Sequence, residues 1–184
     1  MGLRISNDLE RILLYAKEEA MRTGSYGITA DHLMLGLLRD RDCPVCRMLE
    51  NMGADLDSIK LKLDSALMEG RSIPLDEEDR VMPGRSAHSI LSLAVLEARN
   101  AGLEAVEVIH MFLGAGRHDG CLCWKYLSDT GITREAVEKT AREEMILTDK
   151  ATQPQESISD VLAAEMAGML DILSLSRNNN DKLN

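Results

Sequence analysis

The sequence predicts an all-α fold: two copies of a four-helix repeat followed by a C-terminal amphipathic helix. Aromatic residues make up only 3% of the chain, whereas 11 of its 184 residues are Met. Sandwiches and barrels draw on aromatic and β-branched side chains, so this balance favours helices. Internal similarity is the second observation. Displaced by 78 residues, 12–53 aligns with 90–131 without a gap. Identical pairs include Ile12/Ile90, Ala16/Ala94, Glu19/Glu97, Gly24/Gly102, His32/His110, Gly36/Gly114, Cys43/Cys121 and Gly53/Gly131. In total 13 of 42 positions match, where composition alone gives roughly two or three. The third observation is apolar spacing at helical period, taken element by element.

Ser6 or Asn7 can cap a first helix that carries Leu9, Ile12, Leu13, Ala16 and Ala20 on one face. Gly24 ends it, as a left-handed residue past a helix C-terminus does. Thr29 caps a second, very apolar helix through Leu33–Leu38. A short third helix runs from about Pro44 to Asn51 and stops at Gly53. Asp55 or Asp57 starts a fourth, with Leu56, Ile59, Leu63 and Leu67 pointing one way. The second copy repeats this plan from Ser86 to about Leu147. Residues 1–148 thus form a double-repeat domain, with repeats at about 5–69 and 82–147, and 149–184 hold a linker and the last helix. Between the copies, Glu69–Pro83, with Pro74 and the run Asp76-Glu77-Glu78-Asp79, reads as a solvated surface tether. A polar break at Lys150–Gln155 precedes a last helix capped by Ser157, with Ile158, Val161, Leu162, Met166, Met169 and Leu173 in register. Those side chains need burial, either on the bundle or against a second copy in a homodimer. Arg177–Asn184 reads as a frayed end.

With 21 Lys+Arg against 31 Asp+Glu the net charge is −10, and the pI is near 4.9. That balance disfavours a nucleic-acid binder, which relies on cations to neutralise phosphates. Met1-Gly2-Leu3-Arg4 leads into no apolar export segment, and Leu33–Leu38 is too short to span a bilayer. Four cysteines are too few for a disulfide scaffold in a chain of this size. The expectation is a reduced, cytoplasmic protein without membrane attachment.

Residues 5–59 and 82–140 resemble the paired repeats at the amino terminus of the Clp unfoldases, the bacterial Clp ATPases of the A, B and C types. The resemblance rests on Ile5-Ser6, Ala16-Lys17-Glu18-Glu19-Ala20, Gly24, the stretch Ile28–Leu38 and Leu49-Glu50-Asn51-Met52-Gly53. Its second occurrence lies in Leu96–Gly102 and His110-Met111-Phe112-Leu113-Gly114. It implies a pseudo-twofold, eight-helix bundle that docks substrates and adaptor proteins for an ATPase ring. The chain has no Gly-x-x-x-x-Gly-Lys-Ser/Thr phosphate loop, so the expectation is a non-enzymatic, free-standing module without a cofactor. A fragment of a complete Clp ATPase is the alternative. Partners implied are a Clp unfoldase, an adaptor, or unfolded and tagged substrates.

Similarity to the C-type members further implies recognition of arginine-phosphorylated or otherwise charged segments. In that group an acidic residue precedes the His of each repeat. Asp31 holds that position in the first copy and Ile109 in the second, while the site's helix-starting Thr is matched by Ser6 and by Gly84. Ser6 and Asp31 are therefore the candidate binding residues, a carboxylate for a guanidinium and helix N-termini for a phosphate. Asp31 serves equally as a first-turn residue that favours the helix dipole. His32 and His110, heading apolar helices, are expected to bond nearby backbone carbonyls. Cys43/Cys46 and Cys121/Cys123 leave open a metal or redox sensor, although nothing in the sequence shows that the two pairs meet. Met21, Met34, Met48 and Met52 are expected in the core.

Overall fold

A computed structural model describes residues 3–144, 146–147 and 158–174. Helix α1, Asn7–Thr23, begins where the Ser6 hydroxyl accepts the Leu9 N–H at 3.2 Å, and it ends at Gly24 with φ of 85°. Helix α2 is Ala30–Arg39, and α3 is Pro44–Asn51, with Pro in the first turn where no intrahelical N–H is lost. Helix α4, Leu56–Leu67, is capped by Asp55, which accepts the Ser58 N–H. The second repeat supplies α5 (Arg85–Asn100), α6 (Val108–Ala115), α7 (Leu122–Asp129) and α8 (Arg134–Glu143). The break Lys150–Gln155, the Ser157 cap and the end Arg177–Asn184 lie outside the described residues.

Four two-residue strands join the repeats: β1 (Arg4–Ile5), β2 (Gly27–Ile28), β3 (Met82–Pro83) and β4 (Ala105–Val106). Strand β1 pairs in parallel with β4, and β2 with β3. Each repeat thus lends its first strand to the second strand of the other. Pieces this short carry no readable periodicity, which is why the sequence pattern does not reveal them.

The core is one continuous apolar cluster drawn from both repeats, including Leu9, Ile12, Leu33, Ile90, Phe112 and Leu127. Met21, Met34 and Met48 are buried in it, and Met52 packs against it partly buried. Helices α1 and α2 cross so closely that a Cβ on Gly36 would sit 2.6 Å from the Ile12 carbonyl oxygen and 2.7 Å from the Ala16 nitrogen. The same crossing recurs between α5 and α6, where a Cβ on Gly114 would meet the Ile90 oxygen at 3.0 Å. The repeated glycine and the repeated Ile and Ala are therefore two sides of one backbone contact.

The segment between the repeats lies at the surface, as its charge suggests, but it is pinned to the bundle and is not a free tether. It forms a 3₁₀ turn at Leu75–Arg80 pinned to α1. Buried Lys17 pairs with Glu78 at 3.1 Å, Tyr26 donates to Glu77, and the Arg80 guanidinium lies 4.7 Å over the Tyr26 ring. The Ile73 N–H also donates to the Met21 carbonyl at 2.8 Å. Helix α9, Ile158–Ser174, docks on its own bundle against α1, α5 and β3, burying Met166, Met169 and Leu173.

Replacing Gly36 with Ala should destabilise the protein by about 3 kcal/mol, since two backbones must separate to admit one methyl. Gly114→Ala, with slightly more room, should cost less. Urea unfolding midpoints of the two variants test that ranking.

Candidate functional site

The exchanged strands bring helix N-termini together in cross-repeat pairs. Helices α1 and α6 start beside the β1–β4 ladder, where the Ser6 N–H donates to the Val106 oxygen at 3.1 Å. Helices α2 and α5 start beside the β2–β3 ladder, where the Ala30 N–H donates to the Ser86 hydroxyl at 3.0 Å. Ser6 and Asp31, expected in one site within the first repeat, therefore belong to different ladders. The physical reason is the strand exchange, which pairs each repeat's opening with the other's second helix.

Asp31 is buried, with 5% of its surface exposed, and its carboxylate faces the second repeat. Oδ2 accepts the Leu122 N–H at 3.1 Å, Oδ1 accepts the Cys123 N–H at 3.0 Å, and the Cys121 thiol lies 3.4 Å from Oδ1. A side chain from α2 thus caps α7 across the repeat boundary, where free N–H groups and the helix dipole favour an anion. Burial first, and then the Asp31 charge, pushes the Cys121 thiol up to about 12. The other two cysteines stand at the start of α3. Cys43 caps that helix by accepting the Cys46 N–H at 3.4 Å, and Cys46 donates to the Leu37 oxygen. The hydrogen bond to Cys43, together with burial, drives the Cys46 thiol far above its ordinary range. Among the described residues no three His, Cys, Asp or Glu side chains converge as a metal site.

A cleft of about 480 Å³ opens where α1 and α6 begin. Asp8, Glu107 and Glu144 give it three carboxylates, and Pro44, Val45, Val108, Ile109 and Ile146 give it apolar walls. Among the described residues no Lys or Arg lines it, although Arg11 pairs with Asp8 at 2.9 Å from outside. Such a cleft presents acceptors and apolar contact together, which suits a cationic, partly apolar polypeptide segment.

The sequence profile of the Clp repeat (R) N-terminal domain matches residues 4–130. The chain belongs to this family. It is 26% identical over 130 residues to the negative regulator of genetic competence ClpC/MecB of Bacillus subtilis, covering 71% of this chain and 16% of that protein. It is 24% identical over 136 residues to the chaperone protein ClpB of Oceanobacillus iheyensis, covering 71% and 16%. The chain thus spans about one-sixth of the length of the curated relatives it matches. Among solved structures, the N-terminal domain of the chaperone ClpD from Arabidopsis thaliana has the same fold, with a TM-score of 0.61 at 18% identity over 78% of this chain and 96% of that one. A chain from a malarial protein secretion system superposes with a TM-score of 0.65 at 18% identity, over 77% and 94%.

In this Clp repeat domain the two matched histidines serve the fold. His32 Nδ1 accepts the Thr29 N–H at 3.0 Å, and His110 Nδ1 accepts the Glu107 N–H at 2.9 Å. Each ring reaches back over its own helix start to satisfy an N–H, not the carbonyl expected from sequence. An accepting Nδ1 places the proton of the neutral ring on Nε2, and in His32 that nitrogen lies 2.9 Å from the Thr23 hydroxyl. Burial, aided by the nearby Arg22 charge, lowers the His32 pKa to about 4. Sequence reasoning missed the cleft carboxylates because Asp8, Glu107 and Glu144 lie far apart in the chain. One signal was available: the repeat alignment sets Glu107 against Thr29, an added carboxylate at a helix start.

Two outcomes follow for the Clp repeat fold. An unfolded His titrates near 6.5, and the folded His32 near 4. Between those values the unfolded chain holds the extra proton, so stability is full above about pH 6.5 and falls as pH drops. The loss should reach about 2 kcal/mol by pH 5 and should be absent from the difference in His32→Gln, as read by urea unfolding at pH 7.5 and 5. Asp31→Ala, which leaves the N–H groups of Leu122 and Cys123 without their acceptors, should lower stability by about 2 kcal/mol, and Asp31→Asn by less.

Proposed function

We propose that this chain is a protein-docking module of the Clp unfoldase and protease system, one that engages substrates or adaptors and hydrolyses no nucleotide itself. The observation that carries this reading is the cleft between the α1 and α6 starts, where Asp8, Glu107 and Glu144 stand over Val108, Ile109 and Ile146. An unfolded or tagged segment with Arg or Lys among aliphatic residues supplies the complementary charges and the apolar contact. Ser6 acts at this site by capping α1 and so fixing the turn that carries Asp8. Asp31 acts by holding α7 in place, and its carboxylate is spent on that helix. Family membership supports the same role, and the net charge of −10 opposes nucleic acid as partner. No helix among the described residues is long and apolar enough to cross a membrane.

The test uses a fluorescein-labelled peptide that alternates Arg with Leu and Val, followed by anisotropy. The Asp8→Asn/Glu144→Arg double variant should bind it at least tenfold more weakly than the natural chain. Affinity should also fall as salt rises, because the contacts are partly exposed. Equal binding by the two proteins would remove the cleft from the mechanism. No binding by either would remove the charge argument with it.

A further inference from the structure

Helix α9 lies beyond the family-matched residues 4–130 and is seated on α1, α5 and β3. The two helices beneath it occupy equivalent positions in the two repeats, so the seat straddles both copies. Met166, Met169 and Leu173 are buried there at i, i+3 and i+7, with Leu170 and Ile172 partly buried beside them. This is the spacing by which a helix laid in a groove anchors itself. The approach is close. Met166 sulfur meets the Ser92 hydroxyl, and a Cβ on Gly168 would stand 3.9 Å from Ile5 Cδ1. Across its 17 residues the helix carries Asp160, Glu165 and Asp171 and no Lys or Arg. Most helical stability in proteins comes from packing of an apolar face, so the order of α9 depends on the seat. None of its described residues lines the acidic cleft, which lies at the start of α1 and α6.

We propose that α1, α5 and β3 form a helix-binding seat, that α9 is its tethered occupant, and that an amphipathic helix of a partner protein takes its place. The partner helix has Met or Leu at i, i+3 and i+7 and no basic residues. Tethering sets the terms of that exchange. A segment joined through ten residues, 148–157, competes at an effective concentration on the order of millimolar. A partner at about 10 micromolar therefore wins when it binds about a hundredfold more tightly than α9, or when the tether is cut.

The experiment uses the full chain with residues 150–155 replaced by the recognition sequence of a site-specific protease. A labelled peptide of residues 158–174 is titrated before and after cleavage. The cut protein should bind it about a hundredfold more tightly than the uncut protein, the difference that tethering supplies. A Met169→Glu peptide should bind the cut protein at least tenfold more weakly. A peptide that keeps only positions 166, 169 and 173, with Ala, Gln and Glu elsewhere, should stay within about fivefold, because the seat reads the anchors. Circular dichroism and gel filtration follow the fold in parallel. Equal binding before and after cleavage overturns the proposal, as does indifference to Met169→Glu or failure of the anchor-only peptide. A cut protein that unfolds overturns it as well, since α9 would then be part of the core and not a ligand.

Discussion

The exchange of strands between repeats is the constraint on which the rest of this structure depends. A two-residue strand is too short to be stable alone, yet here each one is closed by a partner from the other copy. The Ser6 N–H reaches Val106 and the Gly84 N–H reaches Ile28, so the start of α1 is fixed by the second repeat and that of α5 by the first. Neither copy can assemble its helix starts without the other, and their apolar faces merge into one cluster. The buried Asp31 carboxylate extends the same logic. It reaches from α2 to the N–H groups of α7, making a side chain of one repeat the cap of a helix in the other.

The duplication separates what the fold needs from what the surface does. Positions identical in the two copies sit where both repeats share a geometric demand. Gly36 and Gly114 admit the close helix crossing, Ile12 and Ile90 supply the carbonyls they meet, and His32 and His110 fold back over their helix starts. Among the positions that differ, three stand at helix N-termini near the ladders: Ser6 against Gly84, Thr29 against Glu107, Asp31 against Ile109. The cleft arises from that asymmetry, because Glu107 and Ile109 replace a hydroxyl and a carboxylate with a carboxylate and an apolar wall.

The helices, their caps at Ser6, Thr29 and Asp55 and the end of α1 at Gly24 were legible because each is a local matter of spacing and capping chemistry. What local rules cannot carry is the pairing of distant pieces. The strands have no periodicity, the partner of Asp31 lies some ninety residues away, and Asp8 meets Glu107 only through the exchange. Charge also misled at the inter-repeat segment. Asp76–Asp79 looks solvated, but Lys17 projects from a buried helix face and needs a carboxylate, and Glu78 supplies it. A lysine on the apolar side of α1 was the signal that something acidic must cover it.

Two surfaces of opposite character result from one symmetric scaffold. At the β1–β4 end, carboxylates over apolar walls favour an extended cationic segment, whose side chains gain both contacts without burying an unpaired charge. Across α1 and α5 the seat is apolar and takes a helix whose own charges are acidic and few. A chain with net charge −10 repels an acidic partner at long range, so a helix reaching the second surface gains little from electrostatic steering and must rely on apolar anchors. A cationic segment reaching the first is drawn in by the whole molecule. On the proposed reading, the same scaffold would separate fast, salt-sensitive capture of extended chain from slower, packing-driven engagement of a helix.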